Sequence, residues 1–448
     1  MEEARRYNVL DMGRRWGKLL GLNTPIPTKN GLKLIKDIEV GDWVFGLDGA
    51  PKQVLGLSDI FIDRSCYKLI FGNGETVVAD AEHPWYTITK LSRKAATRTD
   101  RPPRKNPPPL GALRTTQEIY ATQQHKKESN HSIPLAGPLQ YPHRELPLDP
   151  YCLGAWLGDG SKNGGQITGL DREIFENFES AGFILGSHHR IKSQVVLGLV
   201  TILRKIGVIN NKHIPHEYLY GDIEQRLALL QGLMDTDGYV DTRGQCFFDN
   251  TNESLAHGVY TLVQSLGCKA TIQYRRATLY GKDCGPSYRV FFRPSFTVFR
   301  LTRKIERQKT AHPKSLNHYI QLVEPCPSEP VRCLQVEGDD GLFLITESCI
   351  ATHNSTLGID RLIRPALQGY PVAWFAPEDK FYEEVWRELV NTLQPVITYK
   401  NTNKRRIDLI GGGAIEVWNM ARPQNVARGR KYKRVCVDEA AQIPELEK

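Results

Sequence analysis

An apolar run, Tyr7-Asn8-Val9-Leu10-Asp11-Met12, leads into Gly13-Arg14-Arg15-Trp16-Gly17-Lys18, and the chain then continues with Leu19-Leu20. A strand feeding a glycine loop that ends in Gly-Lys is the opening of a phosphate-binding loop, in which backbone N–H groups and the lysine surround phosphates. Such a loop needs Ser or Thr next, because a hydroxyl there binds Mg²⁺, and leucine has none. The missing hydroxyls stand at Ser355-Thr356, where an amphipathic segment running to Ile363 opens. Joining Lys18 to Ser355 gives GRRWGKST followed by a helix, so the chain reads as one folding unit interrupted by the 336 residues from 19 to 354. Downstream, Val372 to Ala376 reads as a second strand, and Val435-Cys436-Val437-Asp438-Glu439 as an apolar strand ending in two acids. In ATP hydrolysis the first acid holds Mg²⁺ and the second polarises the attacking water. A lone Gly-Lys or Asp-Glu is most often a turn or a solvated strand end. The two in this order, completed only when one block is removed, weigh against that reading.

The joined flanks resemble the ATPase domain of large terminase subunits, the phage motors that package DNA. Gly13 to Lys18 with Ser355, and Arg428-Gly429-Arg430-Lys431-Tyr432 running into Asp438-Glu439, carry the likeness. It implies fragments of an α/β P-loop ATPase domain at 1–18 and 355–448. Gly13, Arg14, Arg15, Gly17, Lys18, Ser355 and Thr356 would bind ATP, Asp438 would hold Mg²⁺ and Glu439 would be catalytic. It also implies portal and small-terminase partners and a bacteriophage source. Met12 departs from the general pattern, which has Gly or Ala there, and the flanks total 112 residues, too few for a whole motor.

The block must be something that can leave. Its end, Cys349-Ile350-Ala351-Thr352-His353-Asn354 before Ser355, resembles the C-terminal junction of inteins. Its opening from Leu19 to Thr28, the turn Ile38-Glu39-Val40-Gly41-Asp42, the segment Val77 to Trp85 containing His83, and the late pair Val331 to Glu337 and Leu342 to Ile345 extend that likeness. The resemblance implies an all-β horseshoe splicing (Hint) domain at 19–90 and 320–354 whose ends meet. Ordinary inteins begin with Cys or Ser, and this block begins with Leu19, which has no nucleophile. Class 3 inteins lack that residue and carry a Trp two residues after the block histidine, a Cys in the late strand and a Thr before the terminal His-Asn. Trp85, Cys333 and Thr352 stand at those places. The implied chemistry is attack by Cys333 on the Lys18 carbonyl with His83 as proton donor, acyl transfer to Ser355, and cyclisation of Asn354 assisted by His353. A thiol of ordinary pKa about 8.5 is a few per cent thiolate at neutral pH, and polar neighbours raise that fraction. Splicing needs no metal or nucleotide.

Two further segments, Pro150 to Gly160 and Leu229 to Gly238, resemble the paired helices of LAGLIDADG homing endonucleases. They imply an inserted α/β domain at 146–319 of two αββαββα-like repeats. Double-stranded DNA would be its partner, with Asp159 and Asp237 holding Mg²⁺ over the scissile phosphates. Lys212 resembles the family's active-site lysine, and Lys269 and Lys314 are candidates for its counterpart. Gln194, Gln245, Gln273, Tyr274, Arg275 and Arg289 are candidates for base contact. Residues 91–145 read as a basic, proline-rich linker with a DNA-contacting arm, since Lys90 to Lys105 holds seven basic residues and one acid.

Composition narrows the classes. A chain of 448 residues, 40% hydrophobic and 24% charged, suits several soluble domains, and no apolar run of roughly 18 residues offers a membrane span. The start lacks the apolar core of a secretory signal, and nine cysteines without CxxC pairs indicate neither a disulfide framework nor a zinc site, so the cytoplasm is the expected compartment. The net charge of +9 divides into +5 on the flanks and +4 on the block. Two other readings remain: a fusion whose splicing is dead and whose endonuclease alone acts, and a single nucleotide-driven enzyme that keeps its insertion. The Trp85, Cys333 and Thr352 triplet argues against the first.

Overall fold

Short segments of alternating Val, Ile, Leu and aromatic residues, broken by Gly, Asp and Asn turns, cannot bury an apolar face alone and pair into antiparallel sheets. In the computed structural model the described residues are 19–96, 110–125, 128–186, 193–279, 282–309, 316–338, 341–353, 362–363, 365–376, 383, 385–387, 389–390, 393–420 and 429–437. They fall into two compact units, the larger made of Leu20–Gly338 and Leu342–His353, the smaller drawn mainly from the residues after His353. Among the described residues no helix is long and apolar enough to cross a membrane.

The larger unit holds two hydrophobic cores. The first lies under antiparallel sheets. The larger sheet has eight strands in the order Val331–Arg332, Leu20–Gly21, Thr76–Asp80, Cys66–Phe71, Asn317–Cys326, His131–Pro134, Pro84–Thr89 and Ala112–Thr115. A five-stranded sheet runs Leu334–Val336, Pro51–Leu57, Trp43–Phe45, Pro25–Thr28 and Gly31–Leu34, and the hairpin Leu342–Ile345 with Ile350–His353 packs beside them. Ile26, Val44, Phe45, Leu69, Phe71, Trp85, Leu344 and Ile350 fill the core. This is the all-β architecture expected of the block's two ends, with one correction to its extent. Ala112–Thr115 and His131–Pro134, placed by sequence in a linker at 91–145, are strands of the large sheet, and Thr115 opens the helix Thr116–Thr122 with a reciprocal cap to Glu118. The prolines at 102, 103 and 107–109 mask this in the sequence, because both strands are only four residues long. Two of the seven basic residues are also spent inside the fold. Lys90 is buried and pairs with Glu128 at 2.8 Å, and Arg93 donates to the carbonyls of Ile88, Ser129 and Asn130. Residues 97–109 lie outside the described ones.

The second core is built around two helices, Pro150–Asp159 and Ile223–Thr236, each opened by an aspartate whose side chain accepts from the backbone: Asp149 from Cys152 at 3.0 Å and Asp222 from Gln225 at 2.8 Å. The second helix leads a full αββαββα repeat. Its strands Gly238–Val240, Cys246–Asn250, Lys282–Phe292 and Ala270–Leu279 form, in that order, a four-stranded antiparallel sheet backed by the helix Glu253–Ser265. Among the described residues the first repeat shows fewer strands than the four expected. Its described strands are Gln166–Thr168 and Ser193–Val195, with the helix Arg172–Ser180 between them.

The smaller unit is a five-stranded sheet in the order Ile397–Asn401, Arg406–Leu409, Ala414–Asn419, Pro371–Ala376 and Arg434–Val437. Pro371–Ala376 is parallel to both its neighbours, and Trp374, Ile415, Val417 and Leu389 pack in its core. The strands expected at Val372 and Val435 are present. Among the described residues Arg434–Val437 is the last strand of this sheet, and its Val435 is 47% exposed.

Candidate active sites

The strand Pro84–Thr89 begins one residue after His83, and the turn before it is fixed by Asp80, whose carboxylate accepts from the Glu82 N–H at 2.9 Å and from Arg64 at 2.8 Å. His83 is fully buried. Its Nε2 lies 2.5 Å from the hydroxyl of Thr352, a residue 269 positions away on the strand Ile350–His353. Trp85 stands against the His83 ring at 4.8 Å between centroids and donates its indole N–H to the Thr116 hydroxyl at 3.0 Å. The Thr116 backbone N–H donates in turn to the His83 carbonyl at 2.9 Å. Imidazole, indole and two threonines are thus locked together in the core, and the sequence reading missed Thr116. A threonine starting a short helix has no signal of its own, since only the cap to Glu118 two residues on marks the place.

Cys333 sits between Val331–Arg332, a strand of the eight-stranded sheet, and Leu334–Val336, a strand of the five-stranded one, where the chain steps from one sheet to the other. Arg332 pairs with Leu20, the second residue of the block, so the thiol is carried at the sheet edge beside the block's beginning. Ser58 brackets it: the Ser58 hydroxyl accepts from the Cys333 N–H at 3.0 Å and the Ser58 N–H donates to the Cys333 carbonyl at 3.1 Å. His353 is buried at the end of its strand. Lys18, Asn354, Ser355 and Thr356, with Gly13, Arg14, Arg15, Gly17, Asp438 and Glu439, lie outside the described residues.

The second site is made by close approach. A Cβ at Gly154 would stand 2.2 Å from the Leu229 carbonyl oxygen, and one at Gly232 the same distance from that of Tyr151, so only glycine lets the two helices meet backbone to backbone. Their C-terminal ends, each carrying the negative end of a helix dipole, then converge with Asp159 and Asp237. Burial, and after it the neighbouring Asp159 charge, pushes Asp237 up to about 6, while the Asn250 side-chain amide donates to it at 2.9 Å. Burial also raises Asp159. Two half-buried carboxylates thus stand together at two helix C-termini. Among the described residues no cluster of three or more His, Cys, Asp or Glu stands here.

Lys212 turns its ammonium onto the end of the first helix, donating to the carbonyls of Leu157, Gly158 and Gly160 at 2.9, 3.0 and 2.8 Å. Lys304 repeats this on the second helix, donating to Met234, Asp235 and Gly238 at 2.8, 2.7 and 2.6 Å, and burial lowers its pKa to about 8. Lys304 is therefore the counterpart of Lys212. Of the two candidates from sequence, Lys269 is corrected, since it donates to the Asn317 carbonyl at 3.3 Å, and Lys314 lies outside the described residues. Asp235, buried and accepting from the N–H groups of Arg300 and Leu301, pins the short helix that bears Lys304. On the saddle, Gln273, Arg275 and Arg289 share one face, because Gln273 pairs with Arg289 and strand residues alternate. Tyr274 falls on the opposite face, against Tyr288, and Gln245 closes the turn from Asp241. Arg289 is held bidentate by Asp249.

Residues 224–300 match the family described as a LAGLIDADG-like domain. The chain carries a LAGLIDADG-like domain. A replicative DNA helicase DnaB of Mycobacterium intracellulare is 38% identical over 355 residues, covering 77% of this chain and 60% of that relative. A homothallic switching endonuclease of Saccharomyces cerevisiae is 29% identical over 167 residues, 28% of each chain. Among solved structures, an Msm DnaB1 intein splicing domain bound with zinc aligns at 14% identity and a TM-score of 0.25, over 75% of this chain and 99% of that one. The chain thus spans less than two thirds of the helicase it matches. Since the flanks hold 112 residues, a likeness over 77% of the chain lies mostly within residues 19–354. The terminase reading of the flanks gains no support from these relatives, of which the one covering most of the chain is named a helicase.

Proposed function

We propose that this chain is an intein-containing precursor in which residues 19–354 excise themselves and join Lys18 to Ser355, and that the excised block cuts double-stranded DNA through its LAGLIDADG-like domain. The observation that carries the splicing reading is the contact between His83 and Thr352, which brings the block's early histidine to the strand bearing its last residues. Cys333 attacks the Lys18 carbonyl, the C–N bond to Leu19 breaks, and the departing nitrogen takes a proton from His83. Ser355 accepts the acyl group from sulfur. The Asn354 side-chain amide then closes on its own carbonyl, releasing the block as a succinimide, and an O-to-N shift leaves an amide between Lys18 and Ser355. Proximity makes each transfer intramolecular. A Cys333-initiated route also accounts for a block that begins with leucine.

For DNA cleavage, Asp159 and Asp237 would hold Mg²⁺, which supplies Lewis-acid stabilisation of the scissile phosphate and an activated water. Lys212 and Lys304 fix both helix ends and bring positive charge beside them. Gln273, Arg275 and Arg289, which share one face of the four-stranded sheet, would meet the major groove. The ligated flanks would form an ATP-hydrolysing, Mg²⁺-dependent P-loop domain. Its reading as a packaging terminase, with portal and small-terminase partners, rests on the arginine-rich loop and the Arg428 to Tyr432 segment, and a helicase host is the second reading, favoured by the name of the mycobacterial relative.

Mass spectrometry of the expressed chain is expected to find a 112-residue ligated product and a free 336-residue block. Cys333→Ala is expected to leave the Lys18–Leu19 bond intact. Spliced product from that variant would sink the Cys333 route, and an intact wild-type chain under all redox and pH conditions would sink splicing itself.

A further inference from the structure

The hairpin carrying Thr352 and His353 turns through Thr346, Glu347, Ser348 and Cys349, and this turn is unusual. Thr346 and Cys349 have φ of 61° and 56°, the left-handed region that side chains with a Cβ rarely occupy and β-branched ones least of all. Such a conformation persists only where the surroundings over-determine it. From the splicing sheets, the Thr346 N–H donates to the Pro25 carbonyl at 2.7 Å. Glu75 accepts from the Thr346 hydroxyl at 3.0 Å and the Ser348 N–H at 3.2 Å, and Asn73 donates to the Ser348 hydroxyl at 2.5 Å. The other side of the clamp comes from the LAGLIDADG-like domain. On its helix Glu253–Ser265, Thr261 donates its hydroxyl to the Glu347 carboxylate in a short hydrogen bond, and the Tyr260 hydroxyl stands 3.5 Å from that of Ser348. Glu347 lies near Glu75, and burial, with that like charge, raises its pKa. A half-buried carboxylate beside another one needs a donor, and Thr261 supplies it.

We propose that Thr261 is a positioning residue for splicing: by holding Glu347 it keeps the strained turn closed, and so holds the strand that presents Thr352 to His83 and carries His353 to the scissile end. This rests on the splicing reading above. The LAGLIDADG-like domain is then a buttress of the splicing centre as well as a nuclease. The step most exposed to its loss is Asn354 cyclisation, at the end of that strand. The Cys333 step also uses His83, but that ring is held by Trp85 and its carbonyl by Thr116, and Cys333 by Ser58, so it is the less exposed of the two steps.

The test uses the full chain as wild type, Thr261→Val and Thr261→Ser, with four readouts: spliced product, upstream cleavage by an added small thiol, cleavage of DNA, and thermal unfolding. Removing a hydrogen bond to a charged group is expected to slow Asn354 cyclisation about tenfold in Thr261→Val. Thiol-induced upstream cleavage should fall less than Asn354 cyclisation, DNA cleavage should stay at the wild-type value, the unfolding midpoint should drop by no more than one hydrogen bond accounts for, and Thr261→Ser should restore splicing. Wild-type rates in Thr261→Val would overturn the positioning role while leaving splicing standing. Equal losses in all four readouts, or no rescue by serine, would also overturn it, as a general folding defect. A wild-type chain that never splices would overturn both.

Discussion

At the scale of single residues, the paired carboxylates Asp159 and Asp237 cost the folded chain stability. Asp237 goes from an ordinary 3.8 to about 6 because burial and the Asp159 charge oppose its ionisation. A carboxylate raised on folding binds its proton more tightly in the folded state, so its contribution to stability falls as pH rises from about 4 to 6 and stays lost above that. Asp237→Asn removes the opposed charge and keeps an acceptor for Asn250. It is expected to stabilise the metal-free protein at pH 7 by on the order of 1–3 kcal/mol, read as a higher midpoint in denaturant, while abolishing DNA cleavage. A midpoint below wild type would contradict that account. Protons and the cation compete for the same oxygens, so the Mg²⁺ concentration needed for half-maximal cleavage should rise as pH drops below about 6. Lys304 is the residue whose role here was least legible. Lys212 follows Asp159 by 53 residues, whereas Lys304 follows Asp237 by 67, so no fixed spacing links the pair, and only the shared habit of capping a helix end does. Lys304→Met should cut DNA cleavage to the same degree as Lys212→Met. Its splicing rate should stay at the wild-type value.

At the scale of elements, what the sequence could announce was what chemistry made rigid. The paired glycines and aspartates stand at fixed steps on helices, and the helices had to meet at Gly154 and Gly232 because a Cβ at either would strike a carbonyl oxygen. Gly232→Ala therefore has nowhere to place its methyl without separating two backbones. The cost is expected to be about 2–3 kcal/mol, read in denaturant unfolding, together with loss of DNA cleavage as Asp159 and Asp237 part. Retained cleavage at wild-type rate would mean the helices do not pack as described. The short strands were harder to foresee. Ala112–Thr115 and His131–Pro134 have four residues each, too few for alternation to stand out beside the prolines, and their place in the sheet is decided by distant partners such as Pro84–Thr89 and Asn317–Cys326. Likewise Tyr274 and Gln273 are adjacent in sequence and on opposite faces, which only the register with Tyr288 and Arg289 reveals.

At the scale of the whole molecule, one helix connects two chemistries and keeps them apart. Near the start of Ile223–Thr236, the buried Arg226 donates to the carbonyls of Leu139, Gly221 and Ser265, under the splicing sheets, with Tyr141 against its guanidinium. At its other end stands Asp237. Fourteen residues of helix span about 21 Å, which sets Asp237 well apart from the Arg226 end of the helix. Packing links the two regions through the turn at Glu347 and through Arg226, not through the carboxylates. The activities should therefore separate cleanly. A chain with Asp159→Asn and Asp237→Asn should splice at the wild-type rate and cut no DNA, while Cys333→Ala should remain unspliced and still cut DNA when Mg²⁺ is added. Measuring both products on both variants decides the matter: a splicing defect in the double aspartate variant would mean that cation binding is coupled to the His83 and Thr352 contact across the helix, and that the two sites are one machine.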